Sequence, residues 1–536
     1  MKKNLGYVLL PLFLAVGIIL GIFVGQYVAD TRLSTEEQKL RTVLSLIKDQ
    51  YVDPIDIDSL LEKTIPDLLV SLDPHSAYIS SSDITMANDE LEGSFGGVGV
   101  SFQLLNDTVT VVDVISGGPA EEVGVLPGDM ILKANGKKLT GEGVSNEDVF
   151  KNLRGKEGTK VTVEIKRHSS NAPLEFEIVR GKIPTNSIDA KYMINEDVGY
   201  IKVGKFARTT YSEFFQALME LKLKGAEKYV IDLRNNTGGF MDQAIYMVNE
   251  FMPEGRMIVY TKGRKADNET MAMSDGTGQF QNVPITVLTN EFSASASEIF
   301  AGAIQDNDRG LVIGRRSFGK GLVQNQIALP DSSAIRLTVA RYYTPSGRSI
   351  QKIYKRGKDG QYELDIADRY THGEFYSQDS IKLDKSKEFS TVNGRKVYGG
   401  GGVMPDIFVP EDTTGYTNYY LDAVNKGLIN NFAREMADKY RPMMEKDKTI
   451  ENMERVLPRD NMLLTLFVNY AAQHGLPARW YYINQSRDLL ITQLKGVLAR
   501  NLVDYESLIK VLNTRDKTLD RALQALENGE SPVNIK

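Results

Sequence analysis

The sequence contains no cysteine, only four histidines and a single tryptophan in 536 residues. The absence of cysteine excludes thiol nucleophiles, disulfide bonds and thiolate metal sites. The histidines show no HExxH or other metal-binding spacing, so we expect surface or packing roles for them, and we expect neither a metal ion nor a cofactor. They are His75, His168, His372 and His474. A hydrolytic site in this chain would therefore need a base other than histidine.

An excess of basic residues is also lacking. The formal net charge is -6, and the lysines and arginines form no basic stripe, which makes nucleic acid a poor partner for this chain. Apolar residues make up 42% and charged residues 25%, a composition typical of globular proteins with sizeable cores. Since domains usually run to about 100–200 residues, the length predicts three or four units.

One long apolar run lies near the N-terminus. No charged residue occurs between Lys3 and Asp30. About 20 apolar residues span a bilayer, whereas the apolar region of a secretory signal has about 7–15. We therefore expect residues 1–30 to be an inner-membrane anchor, with the two preceding lysines in the cytoplasm and the rest of the chain in the periplasm. The alternative is a signal peptide whose cleavage releases a secreted protein.

Two segments with different patterns follow the apolar run. Residues 31–91 are polar with apolar positions at helical spacing, and predict amphipathic helices. Residues 92–182 alternate β-branched runs with glycine-rich turns, and predict a small, mostly β unit. Its opening "GGVGV" could turn successive backbone N–H groups towards one carboxylate, although tight turns of a strand pair would also need these glycines.

Residues 183–415 alternate strand-like and helix-like text, which predicts α/β packing. The strand-like "PITVLT" leads directly into "NEFSASASEIF", in which three serines occupy alternate positions before a helical stretch. A serine at a strand-to-helix junction lies near helix amides that favour developing negative charge. An ordinary N-cap serine occupies the same place, so this pattern alone does not identify a nucleophile.

A nucleophilic serine needs a base, and lysine can supply one. Its pKa of about 10.4 must fall to about 7–8 through burial or neighbouring positive charge. Lys320 stands in "SFGKGL" among glycines and apolar residues, unlike most lysines of the chain. The same letters, Ser317 to Lys320, match the S-x-x-K of penicillin-binding acyltransferases. That alternative is disfavoured, because Phe-Gly-Lys-Gly is a poor helix and no K-T-G follows.

Ordered motifs give the chain a family resemblance. "GGVGV", "GGPAEEVGVLPGDMILKANG" and "LRGKEGTKVTVEIKR" resemble a PDZ domain over residues 92–182. "LRNNTGG", "NEFSASASEIFAGAI", "FGKGLVQ", "LTVARYYTPSGRSI" and "GGGGVMPDI" follow in order. Together these motifs resemble the C-terminal processing peptidases, also called tail-specific proteases, from about Leu40 to Pro410. The resemblance implies a serine endopeptidase with a serine–lysine dyad.

The resemblance also implies residue roles. Ser295 would be the nucleophile, Lys320 the general base and Gln324 the residue that orients the lysine, while Ser293 and Ser297 are expected to pack or cap. The oxyanion donors would be the backbone N–H of Ala296 and that of Gly238 or Gly239. The loop that receives a ligand's terminal carboxylate would comprise Gly96, Gly97, Val98, Gly99 and Val100.

For three other features of the predicted protease core, the residue types and their positions predict a structural role. Asp232 and Arg234 are predicted to form a pair, and Glu298 to be a first-turn helix charge rather than a base. The polar insertion at about residues 354–389 is predicted to be an exposed loop or hairpin.

The predicted fold is therefore a multidomain α/β protein. It comprises an N-terminal membrane helix (1–30), a helical segment (31–91), a small mostly β PDZ domain (92–182), an α/β protease core of ββα type (183–415) and a helical C-terminal domain (416–536). Whether that last domain docks on the core, mediates homodimerisation or holds an adaptor protein is left open by the sequence.

The expected function is cleavage of exported envelope proteins near apolar C-terminal tails, after the PDZ domain has bound the free tail. A catalytically silent PDZ scaffold is the rival hypothesis from another class. The presence of Ser295, Lys320 and Gln324 together argues against it.

Overall fold

The computed structural model describes residues 34–105, 107–115, 117–357, 360–382 and 384–534. The chain divides into two compact units between Leu72 and Asp73. None of the described helices is long and apolar enough to cross a membrane. The predicted anchor at residues 1–30 lies outside the described residues.

The first unit contains two helices, α1 (Thr35–Gln50) and α2 (Ile57–Val70). The N-terminus of α1 is capped reciprocally, because Glu37 N–H donates to the Ser34 hydroxyl and Ser34 N–H donates to the Glu37 carboxylate. The predicted helices are present, but no residue of α1 is buried.

The second unit begins with β1 (Ala77–Ile79) and α3 (Ile84–Glu92), followed by a small β module. Its sheet has the antiparallel order β3-β4-β5-β7-β8, with β6 beside β5, while β2 pairs with β9. Among the described strands, β3 is therefore an edge strand with one unpaired side. The elements of the module are β2 (Ser94–Gly97), β3 (Val100–Leu105), β4 (Thr108–Val114), α4 (Pro119–Glu122), β5 (Met130–Ala134), β6 (Lys137–Lys138), α5 (Asn146–Leu153), β7 (Lys160–Lys166), β8 (Leu174–Val179) and β9 (Gly181–Pro184).

A six-stranded sheet forms the centre of the α/β part. Its order is β10-β11-β12-β15-β16-β21, and every pair except β10–β11 is parallel. Because β12 and β15 are neighbours, the chain segments that leave their carboxyl ends meet at one edge. The elements are β10 (Ile188–Met193), β11 (Val198–Val203), α6 (Thr210–Leu223), β12 (Lys228–Asp232), α7 (Met241–Asn249), β13 (Met257–Gly263), β14 (Thr270–Met273), β15 (Ile285–Thr289), α8 (Ala296–Asp306) and β16 (Leu311–Gly314).

A second sheet is antiparallel, and its strands alternate along the chain with those of the central sheet. It has the order β1-β18-β13-β14, with β17 (Leu322–Ala328) also paired to β18 (Ala334–Tyr343). The β17–β18 hairpin directly follows the loop that carries Lys320. The catalytic-lysine candidate is thus held between the central sheet and this hairpin.

The prediction for the polar insertion at residues 354–389 is wrong in part. The insertion contains α9 (Gln361–Thr371), and Tyr362 and Phe375 are buried. Arg369 and Glu374 are buried as an ion pair, so charged residues that look exposed in the sequence lie inside. A short hairpin, β19 (Glu388–Ser390) and β20 (Lys396–Tyr398), then leads to β21 (Ile407–Phe408).

The C-terminal region is helical, as predicted. Most of its helices share a core of their own, whereas α16 and α17 pack on the central sheet through Ile509, Leu519 and Leu526. Docking on the core, one of the three roles considered, is therefore observed for these two helices. The helices are α10 (Asn418–Asn425), α11 (Leu428–Met444), α12 (Ile450–Val456), α13 (Asp460–Gln473), α14 (Trp480–Gln485), α15 (Arg487–Leu502), α16 (Tyr505–Asn513) and α17 (Lys517–Glu527).

Candidate active site

The three serines of "NEFSASASEIF" have different surroundings. Ser293 and Ser297 are fully buried, and their hydroxyls donate to the carbonyls of Leu233 and Asn236 at 2.8 and 2.9 Å. Ser295 is only half-buried and stands at the N-terminus of α8. Of the three hydroxyls, that of Ser295 is therefore the one available for chemistry.

The backbone of Ser295 has an unusual conformation. Its φ is 56° and its ψ is -114°, in the region of positive φ that residues other than glycine rarely adopt. Residues held in this way store strain and often occur at functional sites. The sharp turn between β15 and α8 places the hydroxyl at the positive end of the helix dipole, where a developing oxyanion is stabilised.

The surroundings of Lys320 favour its neutral form, which is the form that a general base needs. Burial lowers the pKa of its ammonium below the ordinary value, and the neighbouring positive charge of Arg336 lowers it further. The carboxylates of Glu298 and Asp73 act in the opposite direction. Its backbone is fixed as well, since the Tyr342 hydroxyl donates to the carbonyls of both Lys320, at 2.6 Å, and Ser295, at 3.1 Å.

The Glu298 carboxylate links the serine turn to the lysine loop. It is completely buried and accepts four hydrogen bonds. The donors are the N–H groups of Ser295 at 2.9 Å, Gly319 at 2.7 Å and Lys320 at 2.8 Å, and the Ser317 hydroxyl at 2.5 Å. Burial raises the pKa of Glu298, although these hydrogen bonds oppose the shift. The predicted first-turn charge thus joins the backbone of Ser295 to that of Lys320.

The Ser317–Lys320 alternative conflicts with this geometry. The Ser317 hydroxyl is fully buried, donates to Glu298 and accepts the N–H of Val403 at 2.6 Å. The segment from Ser317 to Lys320 is not helical, so the two side chains do not lie one helical turn apart. A penicillin-type S-x-x-K arrangement is therefore absent at this place.

Gln324 lies on β17, and its side chain belongs to a series of hydrogen bonds that ends at Asp73. Its amide donates to the Thr338 hydroxyl at 3.3 Å, and Thr338 donates to Asp73 at 3.0 Å. Among the described residues, no hydrogen bond joins Gln324 directly to Lys320. The role of Gln324 in orienting the lysine therefore stays a prediction, and Asp73 is an additional member of the site.

His75 is a site residue that the sequence did not indicate. Its Nε2 lies 2.6 Å from the Tyr362 hydroxyl on α9, and the residue is half-buried. Burial, with a contribution from the positive charge of Lys320, lowers its pKa to about 4. The predicted packing role is confirmed, since the ring also meets that of Tyr362 edge to face with centroids 5.1 Å apart. The proximity of His75 to Lys320 is what the sequence does not indicate.

The Thr-Gly-Gly turn after β12 touches the nucleophile turn. A Cβ on Gly238, whose φ is 102°, would lie 2.7 Å from the Ser295 Cβ and 3.0 Å from the Ala296 nitrogen. The N–H of Gly238 already donates to the Asn236 side chain at 2.9 Å. Within the described part of the chain, Gly239 N–H has no such acceptor. Of the two predicted glycine donors, Gly239 is therefore the one with a free N–H.

Asp232 and Arg234 form the predicted pair and also connect to the C-terminal helices. The Arg234 guanidinium bonds Asp232 at 2.6 Å and Asp516, the N-cap of α17, at 2.6 Å. Burial alone would raise the pKa of Asp232, but Arg234 and Lys202 hold that pKa well below its usual range. The pair thus fixes the strand end that precedes the Thr-Gly-Gly turn.

The predicted carboxylate loop lies between β2 and β3 of the β module. Gly99 has a φ of 83° and its carbonyl accepts Ile115 N–H, while the Val98 carbonyl accepts Ala120 N–H. Gly97 and Val98 are buried, and Val100 begins the edge strand β3. Gly96 lines a neighbouring cavity of about 780 Å³.

Helix α5 faces the edge strand across that region. Phe150 of α5 contacts Phe102 of β3 edge to face, with ring centroids 5.2 Å apart. The Arg154 guanidinium lies over the rings of Phe95 and Phe150 at 4.3 and 4.6 Å, and it lines the same cavity. The cavity beside the glycine loop is therefore lined by the rings of Phe95 and Phe150 together with charged side chains of both signs, among them Arg154.

Comparison with known proteins places these sites in a family. Residues 197–359 match peptidase family S41, residues 96–178 match the PDZ domain, and residues 419–504 match a family of unknown function. The PDZ match covers the β module, and the S41 match contains the serine turn and the lysine loop.

Individual relatives agree with the family matches. A carboxy-terminal-processing protease of Bartonella bacilliformis is 42% identical over 319 residues, which cover 58% of this chain and 71% of that protein. A probable CtpA-like serine protease of Staphylococcus aureus is 33% identical over 336 residues, or 62% of this chain and 66% of that protein.

Among solved structures, the photosystem II D1 C-terminal processing protease is 26% identical, and the match covers 61% of this chain and 93% of that one. Its TM-score to this chain is 0.34. By the peptidase and PDZ matches and the relative from Bartonella, the chain belongs to the carboxy-terminal-processing proteases, the PDZ-containing serine peptidases of family S41.

Proposed function

We propose that the protein is an endopeptidase in which Ser295 attacks the scissile carbonyl and Lys320 is the general base. The observation that carries this proposal is the Glu298 carboxylate, which binds the backbone of both residues. Binding by one buried group supports a fixed mutual position for the two, which is what proton transfer between a nucleophile and its base requires.

The proposed reaction has two halves. Neutral Lys320 accepts the Ser295 proton while Ser295 Oγ bonds to the carbonyl carbon, and the resulting oxyanion accepts the N–H groups of Ala296 and Gly239. The lysine ammonium then donates its proton to the leaving amine as the C–N bond breaks. In the second half, Lys320 deprotonates a water molecule that attacks the acyl ester, and the proton returns to Ser295 as the enzyme is released.

We further propose that the PDZ domain selects substrates by their free, apolar C-terminal tails. The edge of β3 that pairs with no described strand offers backbone groups for an added strand, and the rings of Phe102 and Phe150 beside it suit apolar side chains. The glycine loop from Gly96 to Val100 would receive the terminal carboxylate. Tail binding would favour the cleavage-competent arrangement of the domain by population shift.

Localisation follows from the apolar N-terminal run alone. We propose that residues 1–30 anchor the protein in the inner membrane and that exported envelope proteins are its substrates in the periplasm. Sequencing the N-terminus of the mature protein tests this. A chain that starts near Asp30 would replace the anchor by a cleaved signal and a secreted enzyme.

Cleavage of a folded reporter with an apolar C-terminal tail tests the peptidase proposal, with intact mass as the readout. Wild type should remove the tail, whereas Ser295→Ala should leave the reporter intact. The same reporter with an amidated C-terminus should be cleaved much more slowly, because it lacks the carboxylate. Cleavage by Ser295→Ala would refute the assigned nucleophile, and equal cleavage of both reporters would refute tail recognition.

A further inference from the structure

A second groove borders the lysine loop and has a strong local charge. Its volume is about 630 Å³, and its lining includes four cationic side chains together with aromatic rings. The cations are Arg341, Lys352, Arg356 and Lys387, and the rings include Tyr354 and Phe389. No carboxylate is found among the described residues that line it. The groove therefore carries positive charge, although the net charge of the whole chain is -6.

The charges of this groove, named here the Arg341 groove, are only partly compensated. Lys352 pairs with Asp365 at 3.1 Å, and Lys387 pairs with Asp384 at 3.2 Å. Arg341 and Arg356 are exposed and form no ion pair within the described residues. Within the described part of the chain, these two guanidinium groups are therefore available to an anionic ligand.

The strand that carries Arg341 is charged in an unfavourable way. Lys262 on β13 lies directly opposite Arg341 on β18 in the antiparallel register. Like charges at opposite positions of neighbouring strands are destabilising. The Lys262 ammonium also lies over the ring of Tyr343, 5.7 Å from its centroid, and Tyr343 lines the groove. A negatively charged ligand would relieve this repulsion.

The groove is connected to the catalytic loop through the backbone. Lys352 N–H donates to the Gly319 carbonyl at 2.9 Å, and Gly321 N–H donates to the Gln351 side chain at 2.8 Å. Both residues that flank Lys320 are thus bonded to the groove wall. Arg341 precedes Tyr342, whose hydroxyl binds the Ser295 and Lys320 carbonyls, so strand alternation places Arg341 on the opposite face of β18.

We propose that the Arg341 groove is an exosite for an acidic, apolar-rich segment of the substrate polypeptide. This inference rests on the proposed peptidase function and names a substrate feature in addition to the apolar tail. The exposed Ile353 and the aromatic lining would contact apolar side chains, while the two free guanidinium groups would bind carboxylates. Binding there would also order the wall that holds the lysine loop.

Cleavage kinetics test this exosite with two folded reporters that share one apolar tail. One carries four glutamates and the other four glutamines in the segment before the tail. At low salt, we expect kcat/KM of the wild-type full chain to be roughly tenfold higher for the acidic reporter, mainly through KM, and the preference to shrink at high salt. Arg341→Gln combined with Arg356→Gln should bring the two reporters within twofold of each other.

A matched control removes two exposed lysines far along the chain, Lys446→Gln with Lys448→Gln. This control should retain the preference for the acidic reporter. Equal kcat/KM for both reporters with wild type, or a preference that survives in the Arg341 and Arg356 variant, would overturn the exosite. Cleavage that persists in Ser295→Ala would instead overturn the proposed peptidase chemistry.

A binding measurement keeps the exosite testable even without cleavage. Fluorescence anisotropy with the Ser295→Ala full chain should show tighter binding of the labelled glutamate peptide than of the glutamine peptide, and the arginine substitutions should abolish the difference. Equal binding would overturn the proposal. Binding to vesicles that contain anionic lipid is measured with the same proteins. If the arginine substitutions abolished vesicle binding and left peptide binding unchanged, the groove would be assigned to a membrane surface instead.

Discussion

At the scale of single residues, the site depends on how buried charges are placed around two reacting groups. Glu298 is a carboxylate without access to solvent, and its four donors come from the two segments that carry Ser295 and Lys320. An unpaired buried donor costs about 1–3 kcal/mol. Glu298 therefore stabilises the site only while all of its partners are in place.

Glu298→Gln should reduce kcat/KM by roughly 10- to 100-fold, the effect expected when reacting groups are displaced by about 1 Å. The amide NH₂ would face N–H and O–H donors, so the midpoint of thermal unfolding should also fall. Steady-state cleavage of the tailed reporter and a melting curve measure both effects. Glu363→Gln, in the first turn of α9, is the matched control and should change neither. Full activity in Glu298→Gln would contradict its positioning role.

The pH dependence of cleavage should report the titration of Lys320. In the proposed mechanism the neutral amine is the active form, so kcat/KM should rise with pH through the lysine's lowered pKa. Arg336 disfavours the ammonium, and Arg336→Met removes that repulsion. The pKa of Lys320 should then rise, and the pH profile should shift towards alkaline values.

Arg264→Met is the control for this shift, since Arg264 is exposed and makes no described ion pair. Its pH profile should coincide with that of wild type. An acidic shift, or no shift, in Arg336→Met would show that Arg336 does not act on the catalytic base.

Single residues were predicted unevenly from the sequence. Ser295 and Lys320 could be proposed from the sequence because each stands in a local motif. Asp73 and His75 could not, because they lie more than 200 positions from Lys320 and only the fold brings them close. The fold-dependent proximity is visible in two pKa shifts: the Asp73 carboxylate opposes the lowering of the Lys320 pKa, and the positive charge of Lys320 contributes to the lowered pKa of His75. No local pattern encodes such long-range proximity.

At the scale of elements, adjacent parallel strands account for the site. β12 and β15 pair in register, with Asp232 opposite Leu288. The Thr-Gly-Gly turn and the serine turn therefore leave the sheet side by side. Gly238 touches the Ser295 side chain as a direct result of this pairing.

Gly238→Ala tests the contact between the two turns. Alanine at a φ of 102° is strained, at about 1–2 kcal/mol, and its Cβ would lie 2.7 Å from that of Ser295. We expect kcat/KM to fall about 100-fold while the circular dichroism spectrum is unchanged. Gly255→Ala, at a φ of 78° with no atom within 4 Å of the added Cβ, should keep its activity. Similar activity in the two variants would count against the contact.

Elements were predicted well where apolar periodicity is strong and poorly where polar side chains are buried. The strands "VGYIKV" and "ITVLT" and the helix at residues 210–223 follow their patterns closely. The insertion does not follow its pattern, because the Glu374 carboxylate forms ion pairs with both Arg316 and Arg369, which lets these charged side chains lie in the interior. Such pairing is invisible in a sequence, where charged residues suggest exposure.

At the scale of the whole described molecule, the C-terminal helices complete the peptidase core. α17 covers one face of the central sheet, and Leu519 is fully buried against it. Asp516, which caps the same helix, also binds Arg234 next to the Thr-Gly-Gly turn. Part of the C-terminal region is thus a structural component of the catalytic unit.

Leu519→Ala should destabilise the protein by about 2–5 kcal/mol, the range for a large cavity in a packed core. The change should appear as a lower denaturation midpoint, with activity below that midpoint retained. Leu364→Ala is the control, because that side chain is 57% exposed in α9. An equal midpoint for both variants would mean that α17 contributes little to the stability of the sheet.

The central claim is that Ser295, activated by Lys320, is the nucleophile. The most direct measurement is the site and rate of labelling by a fluorophosphonate, mapped by peptide mass spectrometry on the full chain. The account predicts a single modification at Ser295 in wild type, none in Ser295→Ala, and labelling at least about 100-fold slower in Lys320→Ala than in the control Lys446→Ala. Modification of another residue, or an undiminished rate in Lys320→Ala, would contradict it.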